Sequence, residues 1–261
     1  MPSLLIFGLG YSASFLAKRL KSDGWEIHAT GRDGTLSFDD SGSVRLALSQ
    51  STHILSSVPP LVDGDPVLAR YGDAIRAAGC WTGYLSSTGV YGDTGGAWTD
   101  ESAPIRGRRE NRNQADQEWQ ALGARVFRLP GIYGPGRSAL DRVAEGKARR
   151  IDVAGQVFSR IHVDDLVSGV IAGFEGPPGV YNLADDHPCS QNDVIEAACD
   201  LLGKSYPPLV ALDDAALSPM ARAFYAENRR VANGKAKRLL GWKPVHTDYR
   251  AGLSAIATSG C

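Results

Sequence analysis

The 261-residue chain has no long apolar run, no charge surplus and no cysteine pattern. No stretch approaches the 18 or so apolar residues of a membrane span, so no membrane association is expected. Basic and acidic residues nearly cancel, 28 against 29. That leaves no basic surface for nucleic acid or an anionic bilayer. Cys80, Cys189, Cys199 and Cys261 show no Cys-x-x-Cys or other metal spacing, so no metal site is expected. They read as free thiols of a reducing cytosol, and the expected location is cytoplasmic. The apolar start lacks a basic flank, so no signal peptide is expected. A Gly-x-Ser-x-Gly elbow is absent, which argues against a hydrolase of that design. Repeats and low-complexity tracts are absent as well. The length suits one large α/β domain, or one such domain with a small lobe.

What is present begins at the N-terminus. The apolar run Leu4-Leu5-Ile6-Phe7 reads as a buried parallel strand. It leads directly into Gly8-Leu9-Gly10-Tyr11-Ser12-Ala13, then into a helical stripe of Phe15, Leu16 and Leu20. Strand, GxGxxA loop and helix are the order a dinucleotide site needs. Gly8 permits the tight turn, and Gly10 lets a pyrophosphate approach the backbone. The helix start offers free N–H groups and the positive end of its dipole. The plain alternative is an ordinary strand–turn–helix corner.

The second strand, Glu26 to Thr30, ends in Gly31-Arg32-Asp33. An NAD site usually holds an acid about 20 residues after the loop, to bind the ribose 2′-OH. Thr30 and Gly31 fill that place here, followed by Arg32. A guanidinium fork suits a 2′-phosphate, so NADP is expected ahead of NAD. Arg32 as solvated surface, or Asp33 on a ribose, are the competing readings.

Strand and helix signals alternate through the first two-thirds, which predicts a doubly wound, Rossmann-type parallel sheet of the α/β class. Val44-Arg45-Leu46 reads as a third strand, His53–Val58 as a fourth, Trp81–Ser86 as a fifth and Ala124–Leu129 as a sixth. Helices are expected over Asp65–Ala78, stopped by Gly79, and over Arg112–Leu122. After about residue 137 helical segments at Ala139–Gly146, Asp165–Phe174 and Gln191–Leu202 are joined by Gly/Pro turns. Pro207–Arg230 is loop-rich, with a helix near Ala215–Asn228. The expected division is residues 1–137 for the dinucleotide and 138–261 mainly for a small substrate lobe, some of whose strands join the main sheet.

Four further segments are Leu85-Ser86-Ser87-Thr88-Gly89-Val90-Tyr91-Gly92, Phe127 to Arg137, Arg160-Ile161-His162-Val163-Asp164-Asp165-Leu166, and Val180 to Asp185. With the opening loop, and with Lys237 to Pro244 near the end, they resemble the extended short-chain dehydrogenase/reductase family. These are the NAD(P)-dependent epimerases and dehydratases of nucleotide sugars. The resemblance covers nearly the whole chain. It implies that Ser87 hydrogen-bonds the reacting group of the substrate. A turn serine satisfying its own backbone is the alternative. Tyr91 is expected to pack structurally.

The family's catalytic pair is Tyr-x-x-x-Lys on a helix, and no such pair occurs in this chain. Aligning Ala115-Asp116 with the family's Ala-Glu puts Arg108 at the tyrosine and Arg112 at the lysine. Arginine stays protonated and cannot serve as a general acid–base near neutral pH. The resemblance is therefore to an atypical member. Arg106, Arg108, Arg109 and Arg112 form either a solvated charge run or an anion clamp at the crevice mouth. Tyr133 is a candidate proton carrier. His162 is more readily a structural hydrogen-bonder beside a helix capped by Asp164 or Asp165. Asp116 and Glu118 are expected in solvent.

The site is thus assigned as follows. Catalysis falls to Ser87, Arg112 and Tyr133. The cofactor falls to Gly8, Gly10, Tyr11, Ser12, Arg32, Ser56, Ser57, Ser86, Pro130 and Gly131. The substrate falls to Thr88, Arg108 and Arg137. The expected function is an NAD(P)-dependent oxidoreductase or epimerase/dehydratase-like enzyme with an anionic or nucleotide-sugar-like small substrate. A non-catalytic NADP(H) sensor or scaffold is the alternative. The sequence leaves room for an oligomer without requiring one.

Overall fold

Strand β1 (Ser3–Phe7) is buried at every position, as a short apolar run inside a parallel sheet should be. Its side chains alternate between the two faces. Leu4 and Ile6 join one core cluster, while Leu5 and Phe7 join the other. Each is wholly withdrawn from water, worth about 1.5–3 kcal/mol per side chain. The computed structural model describes residues 1–259 apart from 216, 218–221 and 223.

After β1 come α1 (Tyr11–Ser22), β2 (Glu26–Ala29), α2 (Ser41–Gln50), β3 (His53–Ser56), α3 (Pro66–Ala78) and β4 (Trp81–Ser87). The short β5 (Trp98–Thr99), α4 (Glu110–Ala121), β6 (Arg125–Leu129) and β7 (Gly131–Tyr133) follow. The chain continues through α5 (Ala139–Ala144), β8 (Arg150–Asp152), β9 (Arg160–His162), α6 (Val163–Ala172) and β10 (Gly179–Asn182). It ends with α7 (Gln191–Leu202), β11 (Leu209–Ala211), β12 (Arg230–Val231), α8 (Gly234–Leu240) and α9 (Tyr249–Ser259).

Six strands form one parallel sheet in the order β10-β6-β4-β3-β1-β2. The chain winds one way from β1 to β2, then crosses to β3 and winds the other way. That reversal between β1 and β3 is the switch point, where the crevice of an open α/β sheet lies. Helices α1 and α6 pack together over one face. Helices α2, α3 and α4 supply Val44, Tyr71 and Trp119 to the other. A third cluster joins α5, α7 and α9 around Leu140, Val194, Tyr249 and Leu253. Helices α5 and α7 each open with a capping box, Ser138 with Asp141 and Ser190 with Asp193.

Two expectations need correction. Val44-Arg45-Leu46 is not a strand but the middle of α2. Asp40 caps that helix by accepting from Ser43 N, and Val44, Ala47 and Leu48 form its buried stripe. Three residues are too few to show whether an apolar pattern has period 2 or 3.6. The cap of α6 is not Asp164 or Asp165 but His162, whose ring nitrogen accepts from Asp164 N. Part of the helix expected over Ala215–Asn228, and Cys261, lie outside the described residues. Cys80, Cys189 and Cys199 are free thiols. No helix among the described residues is long and apolar enough to cross a membrane.

Candidate active site

The loop after β1 is held by its neighbours on both sides of the switch point. Gly8 has φ +85°, and a side chain there would press on Val58. Its N–H donates to Thr30 Oγ1, and its carbonyl accepts from Ser57 Oγ. Gly10 caps α1 with extended backbone and no side-chain cap, and space is open where its Cβ would stand. The first turn of α1 has no acidic residue. Unmet N–H groups and an open approach fit an anion such as pyrophosphate. Tyr11 and Ser12 begin that helix. The Tyr11 hydroxyl donates to the Pro135 carbonyl, and Arg137 lies over its ring at 5.4 Å. Burial pushes the Tyr11 phenol above its ordinary range.

At the end of β2, Thr30 is buried and Gly31 has φ +122°. A Cβ on Gly31 would stand 2.9 Å from Leu9 N. Arg32 is exposed and makes no ion pair among the described residues. Ser56 is buried at the end of β3, where its Oγ accepts from Val58 N.

The carboxyl ends of β4 and β6 open into a cleft of about 980 Å³. Ser87, Thr88, Pro130, Gly131, Tyr133 and Arg137 all line it. Ser87 Oγ accepts from Gly89 N, which matches the turn-serine alternative. Its own proton remains available to donate into the cleft. Eight arginines line the cleft against three acids, and Arg108, Arg109 and Arg112 are among them. The sequence placed Arg108 and Arg112 on one face of a helix. In fact Arg108 precedes α4, whose cap is Arg109, and only Arg112 lies in its first turn. Both nonetheless reach the cleft. Arg108 pairs with Glu227, which also holds Arg229. Burial pushes the Glu227 carboxyl up, but the bonds from Arg229 and Arg108 outweigh it and hold the group below its ordinary range.

Two assigned side chains have surroundings the sequence did not suggest. Ser86 is buried and donates to Asp116 at 2.6 Å, between β4 and α4. Alternation along β4 sends Ser86 and Ser87 to opposite faces. Tyr133 lines the cleft as expected. Burial pushes its phenol far above the ordinary range, the charges of Asp185 and Asp165 push it further, and its hydroxyl leans on the Asp248 carbonyl.

Asp116 is not in solvent. It is wholly buried and paired with Arg128, whose guanidinium stacks over Tyr91 at 4.8 Å. Tyr91 in turn donates to Asn182. His162 is buried, as a structural role requires, and its ring lies 4.0 Å from that of His246. Glu227, Arg142, Phe158 and Phe224 also line the cleft, and no pattern in the sequence marks them. They come from α5, the segment before β9 and the segment before β12, so only the folded chain brings them together.

No family model matches the chain. A conserved protein of unknown function from Silicibacter pomeroyi is 43% identical, with 99% of each chain covered and a TM-score of 0.89. The chain belongs to one family with that protein. The dTDP-glucose 4,6-dehydratase of Bacillus anthracis, solved in complex with NAD, shares the fold at 18% identity, with 99% of this chain and 96% of that one covered and a TM-score of 0.76. Other neighbours of the same fold are nucleotide-sugar epimerases. A 3-diazoavenalumate denitrifying reductase of a Streptomyces species is 33% identical over 144 residues, 51% of this chain. The match spans only 46% of that reductase.

Proposed function

We propose that this chain is an NADP-dependent oxidoreductase acting on a small anionic substrate. The observation that carries the reading is the arginine-rich cleft at the carboxyl ends of β4 and β6, beside a switch point whose glycine loop is open to a dinucleotide. A bound nicotinamide supplies hydride chemistry. The residues at the loop fit such a group: Gly10 leaves room, α1 offers unmet N–H groups, and Arg32 stands ready for a 2′-phosphate. Gly8, Tyr11, Ser12, Ser56 and Ser57 complete that seat, with Pro130 and Gly131 at its nicotinamide end.

Ser87 orients the reacting group through its free proton. Arg112, half-buried in the cleft wall, binds and orients the anion. Thr88 and Arg137 border the same space. Neither the arginines nor Tyr133 supplies a proton at neutral pH, so the substrate proton exchanges with water or with the substrate's own acidic groups. The Streptomyces relative is named a reductase, which supports reduction over epimerisation. The displaced phenol of Tyr133 favours a second reading, an NADP(H) sensor without turnover.

The deciding experiment is thermal shift with NAD, NADP and their reduced forms, followed by NADPH consumption with a panel of anionic acceptors. A ligand that binds only the native state raises its melting temperature. Stabilisation by NADP with no consumption would leave the sensor. No response to either dinucleotide would end both readings.

A further inference from the structure

Resting on that reading, we propose that the substrate is a flat-bodied aromatic carboxylate. Part of the neutral polar lining of the cleft is engaged within the protein. Ser138 Oγ donates to Asp141 in the capping box of α5. Ser159 Oγ accepts from Val231 N. Gln191 Oε1 accepts from Arg160, and Tyr133 donates to Asp248. Ser87 and Thr88, both at the end of β4, keep capacity for a ligand, as do the hydroxyls of Tyr225 and Tyr249.

What the cleft offers besides is guanidinium and aromatic surface. Arg109, Arg112 and Arg142 line it and make no ion pair among the described residues. Their planar forks match a carboxylate in geometry as well as charge. Phe224 lines the cleft and is 48% exposed. Its ring is stacked on the buried Phe158 at 4.2 Å and 12°, and Tyr225 meets Phe158 edge-on at 5.7 Å. The pair forms a backed apolar shelf in the same cavity as the arginines. A planar ring against that shelf, with its carboxylate on the arginines, satisfies both surfaces at once.

The test is calorimetric titration of the whole chain with trans-cinnamate, succinate and UDP-glucose. NADP is titrated first, and its absence of binding would count against the cofactor reading alone. The two acids and the nucleotide sugar are then compared on whichever form exists, with or without NADP. We expect cinnamate to bind about tenfold more tightly than succinate. UDP-glucose should bind more weakly than cinnamate. Phe224→Ala should remove most of cinnamate's advantage while leaving succinate unchanged, and circular dichroism will show that the variant is folded. No heat with cinnamate, tighter binding of UDP-glucose, or cinnamate affinity unchanged in Phe224→Ala would each overturn the assignment.

Discussion

Arg128 and Asp116 form a wholly buried two-point ion pair, Nη2 to Oδ1 at 2.6 Å and Nε to Oδ2 at 3.1 Å. Ser86 and Gln120 donate to the same carboxylate. The pair ties α4 to β6 just beneath the cleft that Arg112 and Ser87 line. Its place in the interior makes its two ends unequal to removal of one alone.

Asp116→Ala should therefore cost about 3–5 kcal/mol, because Arg128 would stay buried without its counter-charge. Urea denaturation reads this directly as a lower midpoint. The double change Asp116→Leu with Arg128→Met should cost clearly less than the single one. If the double variant is the less stable of the two, the pair stabilises the fold through its own attraction.

Gly10→Val should abolish dinucleotide binding and leave the melting temperature of the free protein nearly unchanged. The open space at this position means that the new side chain meets solvent, not protein. Affinity equal to that of the parent chain would remove the loop from the cofactor site.

Much of this was legible in the residues. The alternation of strands and helices marked the sheet, and β1 announced its burial on both faces. The loop glycines and the serine at the end of β4 followed from order along the chain. Asp116 was misread because a carboxylate on a polar helix looks solvated until its partner appears. That partner, Arg128, sits in a strand where nothing local distinguishes it. Val44 was misread because three residues cannot carry a period. Phe224 and Glu227 reach the cleft only through tertiary folding, which leaves no trace in spacing.

Arg32→Ala should weaken NADP far more than NAD. Only NADP loses a charge-assisted contact, worth roughly 1.5–3 kcal/mol. Parallel titrations of both dinucleotides settle the matter, and an equal loss for the two would return Arg32 to the solvated surface.

Arg112→Ala should weaken binding of an anionic substrate and flatten its dependence on ionic strength, since salt screens the charge that is removed. Affinity measured at low and high salt for parent and variant gives the comparison. An unchanged salt slope would mean that Arg112 does not face the anion.

Burial pushes the Asp185 carboxyl up to about 8, and its Oδ2 has no hydrogen-bond partner among the described residues. Because the folded value lies above the unfolded one near 4, the native state holds the extra proton between them. Stability should accordingly fall as pH rises from about 4 to about 8, at up to roughly 1.4 kcal/mol per pH unit for this group. Asp185→Asn should flatten that slope and raise the melting temperature at pH 8. A parent-like slope in the variant would assign the effect elsewhere.

The backbone at Gly31 has a consequence for anyone redesigning the chain, and for its own descent. The acid that holds a ribose 2′-OH in many NAD sites cannot simply be installed there. Any side chain would have to adopt φ +122° and would meet Leu9 N at 2.9 Å. The crossing from β2 into its loop has closed that route at the level of the main chain. A switch of dinucleotide preference has to pass through position 32 or 33, where side chains are exposed and the substitutions are sterically free.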